Sequence, residues 1–182
     1  KKNNKYGLVD FNGKAILECE YDAVYTLKGV TENRIVEKDG NIGLVNSKGQ
    51  TIINTEYSSI QTLKEGHKSE YLVSNQEGKY GVVSTSGTKI LDTIYEEIKY
   101  LGSNEVYAVK VDGVMRLINS KADTLQTSEG EEYIHAKGEN VIVSKDGKYG
   151  IEKITGEAGI AYEYEDLKNA FSIYYIAKKD GK

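Results

Sequence analysis

The chain has 182 residues, room for one sizeable domain and little for a second. Its net charge is −4 with both signs interspersed and its sequence pI is about 5.4; no basic run exceeds two residues, which argues against nucleic acid as a partner. No apolar stretch approaches the roughly 20 residues of a membrane span, and the start Lys1-Lys2-Asn3-Asn4-Lys5 is not that of a signal peptide.

Read in chain order, the first extended run is Tyr6-Gly7-Leu8-Val9-Asp10, closed by Asn12-Gly13. The pattern returns as Ile42-Gly43-Leu44-Val45-Asn46 with Lys48-Gly49, then as Tyr80-Gly81-Val82-Val83-Ser84 with Ser86-Gly87. A worn copy follows at Met115-Arg116-Leu117-Ile118-Asn119, and a fifth at Tyr149-Gly150-Ile151. The opening positions are 36, 38, 35 and 34 residues apart. Fifteen residues after the opening position comes Tyr21, Tyr57, Tyr95 or Tyr164; the worn copy has Gly130 there and Tyr133 nearby. A period of this size marks a stack or ring of supersecondary units. The approximate units are 1–32, 33–69, 70–104, 105–139 and 140–182, all in one repeat domain spanning 1–182.

Within the third unit the runs Tyr71–Asn75, Tyr80–Thr85, Thr88–Leu91 and one within Tyr95–Leu101 predict short strands, and Gly102-Ser103-Asn104 predicts the closing turn. Asp39-Gly40, Glu77-Gly78, Asp112-Gly113, Asp146-Gly147 and Asp180-Gly181 predict two-residue turns of the primed type, which need positive φ at both centres. The Asn12-Gly13, Lys48-Gly49 and Ser86-Gly87 turns are expected to work in the same way. Single helical turns are conceivable only at Glu96–Lys99 and Glu165–Lys168. The expected fold is all-β: five repeats of about four short antiparallel strands in a β-propeller-like ring, with an open β-repeat spiral or solenoid as the alternative. The two chain ends share one register, so a strand of 172–178 pairing with that of Leu8 would close the ring.

Gly7, Gly43, Gly81 and Gly150 lie inside strands, where glycine weakens a sheet unless something approaches closely. Rings of the later tyrosines are the expected neighbours, giving Tyr6, Tyr21, Tyr57, Tyr80, Tyr95, Tyr149 and Tyr164 a structural, repeat-defining role; a shared ligand-binding row of tyrosines is the alternative. Other tyrosines, Tyr25 and Tyr174 among them, suit half-buried faces, sugar stacking or a protein contact. The lone Cys19 precludes an intrachain disulfide and is read as a small buried apolar residue. Glu18, Glu20 and Asp22 share one side of a strand if it extends that far, but they and the Glu129–Glu132 and Glu163–Asp166 clusters are expected to be solvated. His67 and His135 have no partner at metal-ligand spacing. Gly-x-Ser-x-Gly, Gly-x-Gly-x-x-Gly and the P-loop pattern are absent. No catalytic residue, metal or cofactor is expected.

The motif Tyr-Gly-Leu-Val-Asp-x-x-Gly-Lys with a following Glu-Tyr-Asp resembles the WG (KWG) repeat family. It is carried by Lys5–Lys14 and Glu20-Tyr21-Asp22, by Ile42–Gly49 and Glu56-Tyr57, by Lys79–Gly87 and Tyr95, and by Lys148–Ile151 and Glu163-Tyr164-Glu165. The eponymous tryptophan is absent, with tyrosine, isoleucine or methionine in its place, and so is the proline usual before the later tyrosine. The resemblance implies a bacterial all-β repeat module, often extracytoplasmic or at the cell surface, with no assigned chemistry. The function expected is a non-catalytic scaffold for a protein or a cell-envelope component. A carbohydrate-binding module using exposed tyrosines is the alternative, and a propeller hydrolase is a third class without a carboxylate pair to support it.

Overall fold

Short alternating runs cut every five to seven residues by glycine turns leave the chain no length for a helix. The computed structural model describes residues 4–28, 32–63, 70–102, 105–170 and 174–182. Every regular element among them is a β-strand. The turn at Ser103-Asn104, His67 with its neighbour Glu65, and the segment around Ile173 expected to meet the first strand lie outside these residues.

The chain divides into two compact units, Lys1–Ile94 and Tyr95–Lys182. The first unit opens with β1 (Tyr6–Val9) and β2 (Ala15–Tyr21), an antiparallel pair. Then come β3 (Ala23–Thr26), β4 (Arg34–Lys38), β5 (Asn41–Val45) and β6 (Thr51–Tyr57), a four-stranded meander in chain order. The next sheet is β7 (Ser59–Thr62), β8 (Glu70–Ser74), β9 (Tyr80–Ser84) and β10 (Lys89–Tyr95). The second unit has β11 (Glu97–Tyr100), β12 (Tyr107–Val111), β13 (Val114–Ile118) and β14 (Thr124–Thr127). Another four-stranded sheet is β15 (Glu132–Lys137), β16 (Asn140–Lys145), β17 (Lys148–Lys153) and β18 (Ala158–Tyr164), and the unit ends with the pair β19 (Asp166–Asn169) and β20 (Tyr175–Lys178).

Two expectations are corrected here. The segments at Glu96–Lys99 and Glu165–Lys168 are not helical turns; β11 and β19 occupy them. The strand after each landmark tyrosine also does not close its own sheet but opens the next. One bend residue makes the change, and its N–H is tied to the second strand of the new sheet: Asp22 to the Glu37 carbonyl, Ser58 to Ser74, Glu96 to Lys110 and Glu165 to Lys178, each at 2.8 Å. That bond leaves too little slack for a helical turn.

Within each unit the core lies in layers between successive sheets. In β5, Leu44 belongs to the layer shared with β7 and β8, beside Ile35, Ile60 and Val73, while its neighbour Val45 packs with Leu17 and Val36 toward β1 and β2. In β16, Val141 and Val143 join Leu117 and Tyr133, while Ile142 joins Ile151 and Leu167. Alternate side chains thus feed opposite faces, and both faces are covered. Each fully buried aliphatic side chain stabilises by about 2 kcal/mol.

Two turn types alternate along the meander. Asp39-Gly40, Asp112-Gly113, Asp146-Gly147 and Asp180-Gly181 have φ of 52°/77°, 52°/74°, 51°/75° and 53°/73°, as the primed turn requires. The second turns do not work in this way. Gly13, Gly49 and Gly87 have φ of 82°, 78° and 87° but the residues before them do not. The loop is longer, and a side chain holds it: Asp10 Oδ1 accepts the Asn12 and Lys14 N–H groups at 2.9 Å each, and Asn46 Oδ1 accepts those of Lys48 and Gln50 at 2.9 and 3.0 Å. The Glu77-Gly78 turn follows this second design, with Asn75 Oδ1 accepting from Glu77 and Lys79 at 3.0 and 2.9 Å. The motif's Asp-x-x-Gly is therefore a side-chain-braced turn.

Candidate functional site

The residues that define the repeat meet across one hairpin. Tyr6 pairs with Tyr21, Ile42 with Tyr57 and Tyr149 with Tyr164, so the fifteen-residue spacing is strand register. Two residues further on, Leu8 pairs with Leu17, Leu44 with Ile53 and Ile151 with Ile160. Three residues of the longer strand therefore face one glycine: Glu18, Cys19 and Glu20 face Gly7, for example. This is a bulge of the kind that bends a strand.

The bulge replaces the expected explanation of the glycines. What crowds them is backbone, not a tyrosine ring. A Cβ on Gly7 would lie 2.4 Å from the Leu17 carbonyl oxygen, on Gly43 2.7 Å from that of Ile53, on Gly81 2.7 Å from that of Leu91, and on Gly150 2.6 Å from that of Ile160. The worn copy supplies the contrast. Arg116 stands where the others have glycine, and it pairs directly with Thr127; Leu117 pairs with Gln126. There is no three-residue excursion, and β14 has 4 residues where β2, β6, β10 and β18 have 7. Cys19, read from sequence as buried, is exposed because it rides on the bulge.

Of the landmark tyrosines, Tyr57 and Tyr95 are buried, Tyr21, Tyr80, Tyr149 and Tyr164 are half-buried, and Tyr6 is exposed. Two of them carry a lysine over the ring. Lys38 Nζ lies 5.9 Å from the centre of the Tyr21 ring and pairs with Glu20 at 2.7 Å; Lys179 repeats this on Tyr164 at 5.8 Å, with Glu163 at 2.6 Å. The Glu-Tyr pair of the motif thus holds a lysine from the end of the second strand of the next sheet.

Several carboxylates of the acidic clusters are paired with lysines in the same manner. Strand β2 stops at Tyr21, so Asp22 is not on the face of Glu18 and Glu20; it pairs with Lys5 at 2.5 Å. Glu165 pairs with Lys178 at 3.4 Å and Asp166 with Lys168 at 2.7 Å. Glu131 receives Lys145 Nζ at 2.6 Å and the Glu129 N–H at 2.6 Å, and the lysine holds its carboxyl below the usual carboxylate range. Nearby, the Tyr162 hydroxyl donates a short hydrogen bond to Glu152. Burial, followed by the Glu152 interaction, pushes the Tyr162 phenol well above its ordinary value, and burial does the same to Tyr133. His135 is half-buried against Gly102. Among the described residues no three His, Cys, Asp or Glu side chains gather as a metal site requires. No helix among them is long and apolar enough to cross a membrane.

Sequence reasoning did not find one feature with room for a ligand. In the first unit a cavity of about 710 Å³ opens between β3 and β7. Its floor is Leu27, Ile35, Ile42 and Ile60, and its rim carries Tyr25, Lys28 and Gln61. Leu27, Ile35 and Ile60 are buried members of the core layer, whereas Tyr25 is 45% exposed. Burial raises the Tyr25 phenol, helped by the charge of Glu37. Among the described residues no carboxylate lines the space. The signal in the sequence was faint: Tyr25 and Gln61 both stand four residues after a landmark tyrosine, a position the motif leaves variable.

No curated protein matches the chain. Solved structures that match include Kluyveromyces lactis Hsv2 (10% identity, TM-score 0.37, 72% of this chain and 46% of that one) and the same protein with complete loop 6CD (10%, 0.39, 79% and 50%). A third is KlHsv2 with loop 6CD replaced by a Gly-Ser linker (12%, 0.40, 92% and 65%). The chain spans less than two thirds of the length of each, and likeness at these scores carries no argument. A family model is more direct: the one described as WG containing repeat matches residues 6–29, 42–72 and 80–114, each match starting on an opening residue. Through these three stretches the chain belongs to the WG-repeat family.

Proposed function

We propose that this chain is a non-catalytic scaffold that binds another protein, and that the cavity between β3 and β7 is where it does so. The observation that carries the reading is the composition of that cavity: four aliphatic side chains below a rim of hydrogen-bonding groups, with no carboxylate pair or nucleophile-base arrangement among its described lining residues. Such a lining suits an apolar anchor from a partner. The repeat-defining tyrosines and glycines support the same reading, because register and bulge geometry account for them without any chemistry. A cross-linking experiment on the whole chain tests it, with a photo-reactive group at exposed Gln61 and a second at Glu77, on the turn between β8 and β9. Adducts confined to the Gln61 probe support the cavity; equal labelling from both probes counts against it.

A second reading is a module for cell-envelope polysaccharide. It is favoured by the exposure of Tyr25 beside the cavity, since an aromatic face can stack on a sugar ring. Saturable binding of a soluble wall polymer, lost in Tyr25→Ala, would favour this reading over a protein partner. The finer architecture, a propeller-like ring as against an open spiral, is supported by the four-stranded antiparallel sheets. Small-angle scattering separates the two: a ring scatters as a compact disc, a spiral as an elongated rod.

A further inference from the structure

We infer that the cavity between β3 and β7 receives the free C-terminus of a polypeptide ending in an apolar residue. This rests on the protein-binding reading above and names the part of the partner that is bound.

Four observations converge. The floor of Leu27, Ile35, Ile42 and Ile60 is wholly aliphatic, and the cavity, at about 710 Å³, holds a side chain plus main chain rather than a single small group. Lys28 is the one charged residue of the lining among the described residues. Some lysines, Lys38 and Lys145 among them, are tied to carboxylates; Lys28 has no hydrogen-bond or ion-pair partner among the described residues and is left to meet a ligand's charge. The Tyr25 hydroxyl, the Gln61 amide and the Thr62 hydroxyl are also unpartnered among them. A cation beside an apolar floor calls for a ligand with an apolar body and one negative charge. Finally, β3 and β7 are each the terminal strand of their sheet, so each has a row of N–H and C=O groups outside any ladder. A peptide main chain can use such groups; a simple fatty acid cannot.

The second unit shows what the same place looks like when closed. Lys99 occupies the position of Tyr25 and Gln61, four residues after its landmark tyrosine, and its Nζ donates to the Tyr133 carbonyl of the neighbouring sheet at 3.3 Å. The Ala136 N–H reaches the Leu101 carbonyl at 2.7 Å. Among the described residues the first unit has no counterpart of either bond. With tyrosine and glutamine in place of that lysine, the space stays open and keeps its polar groups uncommitted.

The test is fluorescence anisotropy on the full chain. The probe is a labelled hexapeptide pool ending in Leu, Ile, Val or Phe, made once with free carboxylates and once as C-terminal amides; decanoate serves as competitor. The free-acid pool should bind saturably and the amide pool about tenfold more weakly, the worth of one charge-assisted hydrogen bond. Lys28→Gln should bring the acid pool down to the amide level. Gln61→Trp, at an exposed position on the rim, should abolish binding of both, with thermal unfolding like that of the parent. Absent binding of the acid pool, equal binding of acid and amide, or indifference to Lys28→Gln or Gln61→Trp overturns the inference. Displacement by decanoate as strong as by unlabelled acid pool overturns the assignment to a polypeptide. If these arms fail while cross-linking from Gln61 still captures a partner, the scaffold reading stands and only the C-terminal assignment falls.

Discussion

Tyr149 lies directly across from Tyr164, and the residue between this pair and the next, Gly150, faces three residues of the opposite strand. Because the same relation joins Tyr6 to Tyr21 and Ile42 to Tyr57, the signature of the repeat records one bulged hairpin. The glycine is there for the bulge, because only a residue without a side chain fits beneath the bulged backbone.

Gly81→Ala tests this dependence. The added Cβ would meet the Leu91 carbonyl oxygen at 2.7 Å and Thr93 Cγ2 at 2.8 Å. A carbonyl in a ladder cannot move aside as a flexible side chain can, so overpacking should cost about 2 kcal/mol. The reverse change in the worn copy, Arg116→Gly, should not stabilise. Its partner Thr127 sits opposite without a bulge, and glycine in an ordinary strand costs about 0.5–1 kcal/mol. Urea unfolding of both variants decides it; a neutral Gly81→Ala would break the argument.

Ala122 adopts φ of 64° at the position that Gly13, Gly49 and Gly87 occupy in the other braced turns. An L-residue there carries about 1–2 kcal/mol of strain, while glycine returns part of the gain through its freer unfolded chain. Ala122→Gly should therefore raise stability by about 0.5–1 kcal/mol. The Asn119 brace, which accepts the Lys121 and Asp123 N–H groups at 2.9 and 3.0 Å, should be kept. A lower unfolding midpoint would show that the turn does not limit stability.

These turns also show what could be read in advance. Asp-Gly between alternating runs is enough to specify a primed turn, since few residues tolerate positive φ at both centres, and all four Asp-Gly turns adopt it, while the Asn12-Gly13, Lys48-Gly49 and Ser86-Gly87 turns do not. Glu77-Gly78 does not, because the brace comes from Asn75, whose side-chain hydrogen bonds are invisible in a turn-residue count. The tyrosine spacing was legible but not its meaning: an interval of fifteen does not distinguish a ring packed on glycine from a register held across a bulge. The cavity was least legible. Its floor belongs to the common core, and only the variable residues Tyr25, Lys28 and Gln61 set it apart.

Glu131 gives a pH signature. Its folded pKa is depressed, chiefly by Lys145, so its contribution is present above the unfolded carboxylate pKa of about 4.3 and is lost as pH falls through the lower folded value. Glu131→Gln keeps the shape but gives up the ion pair and weakens the bond from the Glu129 N–H. It should cost about 1 kcal/mol at neutral pH. The gap between parent and variant should narrow on acidification below about pH 4, which thermal melts across that range will show. A gap independent of pH would mean the loss is one of packing.

At the other end of the pH scale, Tyr162 and Tyr133 have folded pKa values raised by burial and by the Glu152 carboxylate. A raised pKa means that the stabilisation is complete below the unfolded phenol value of about 10 and is lost as pH climbs beyond it, because only the unfolded chain ionises there. The folded protein should accordingly hold back at least these two phenols in an alkaline titration followed by tyrosinate absorbance, and release them together with unfolding. Tyr162→Phe removes one of the two and leaves Glu152 without the short bond from the hydroxyl. That variant should be less stable at neutral pH by about 1 kcal/mol, yet lose less further stability between pH 10 and its own alkaline midpoint. If all the phenols titrate before the fold is lost, the buried position of Tyr133 beneath Tyr162 is not maintained in solution.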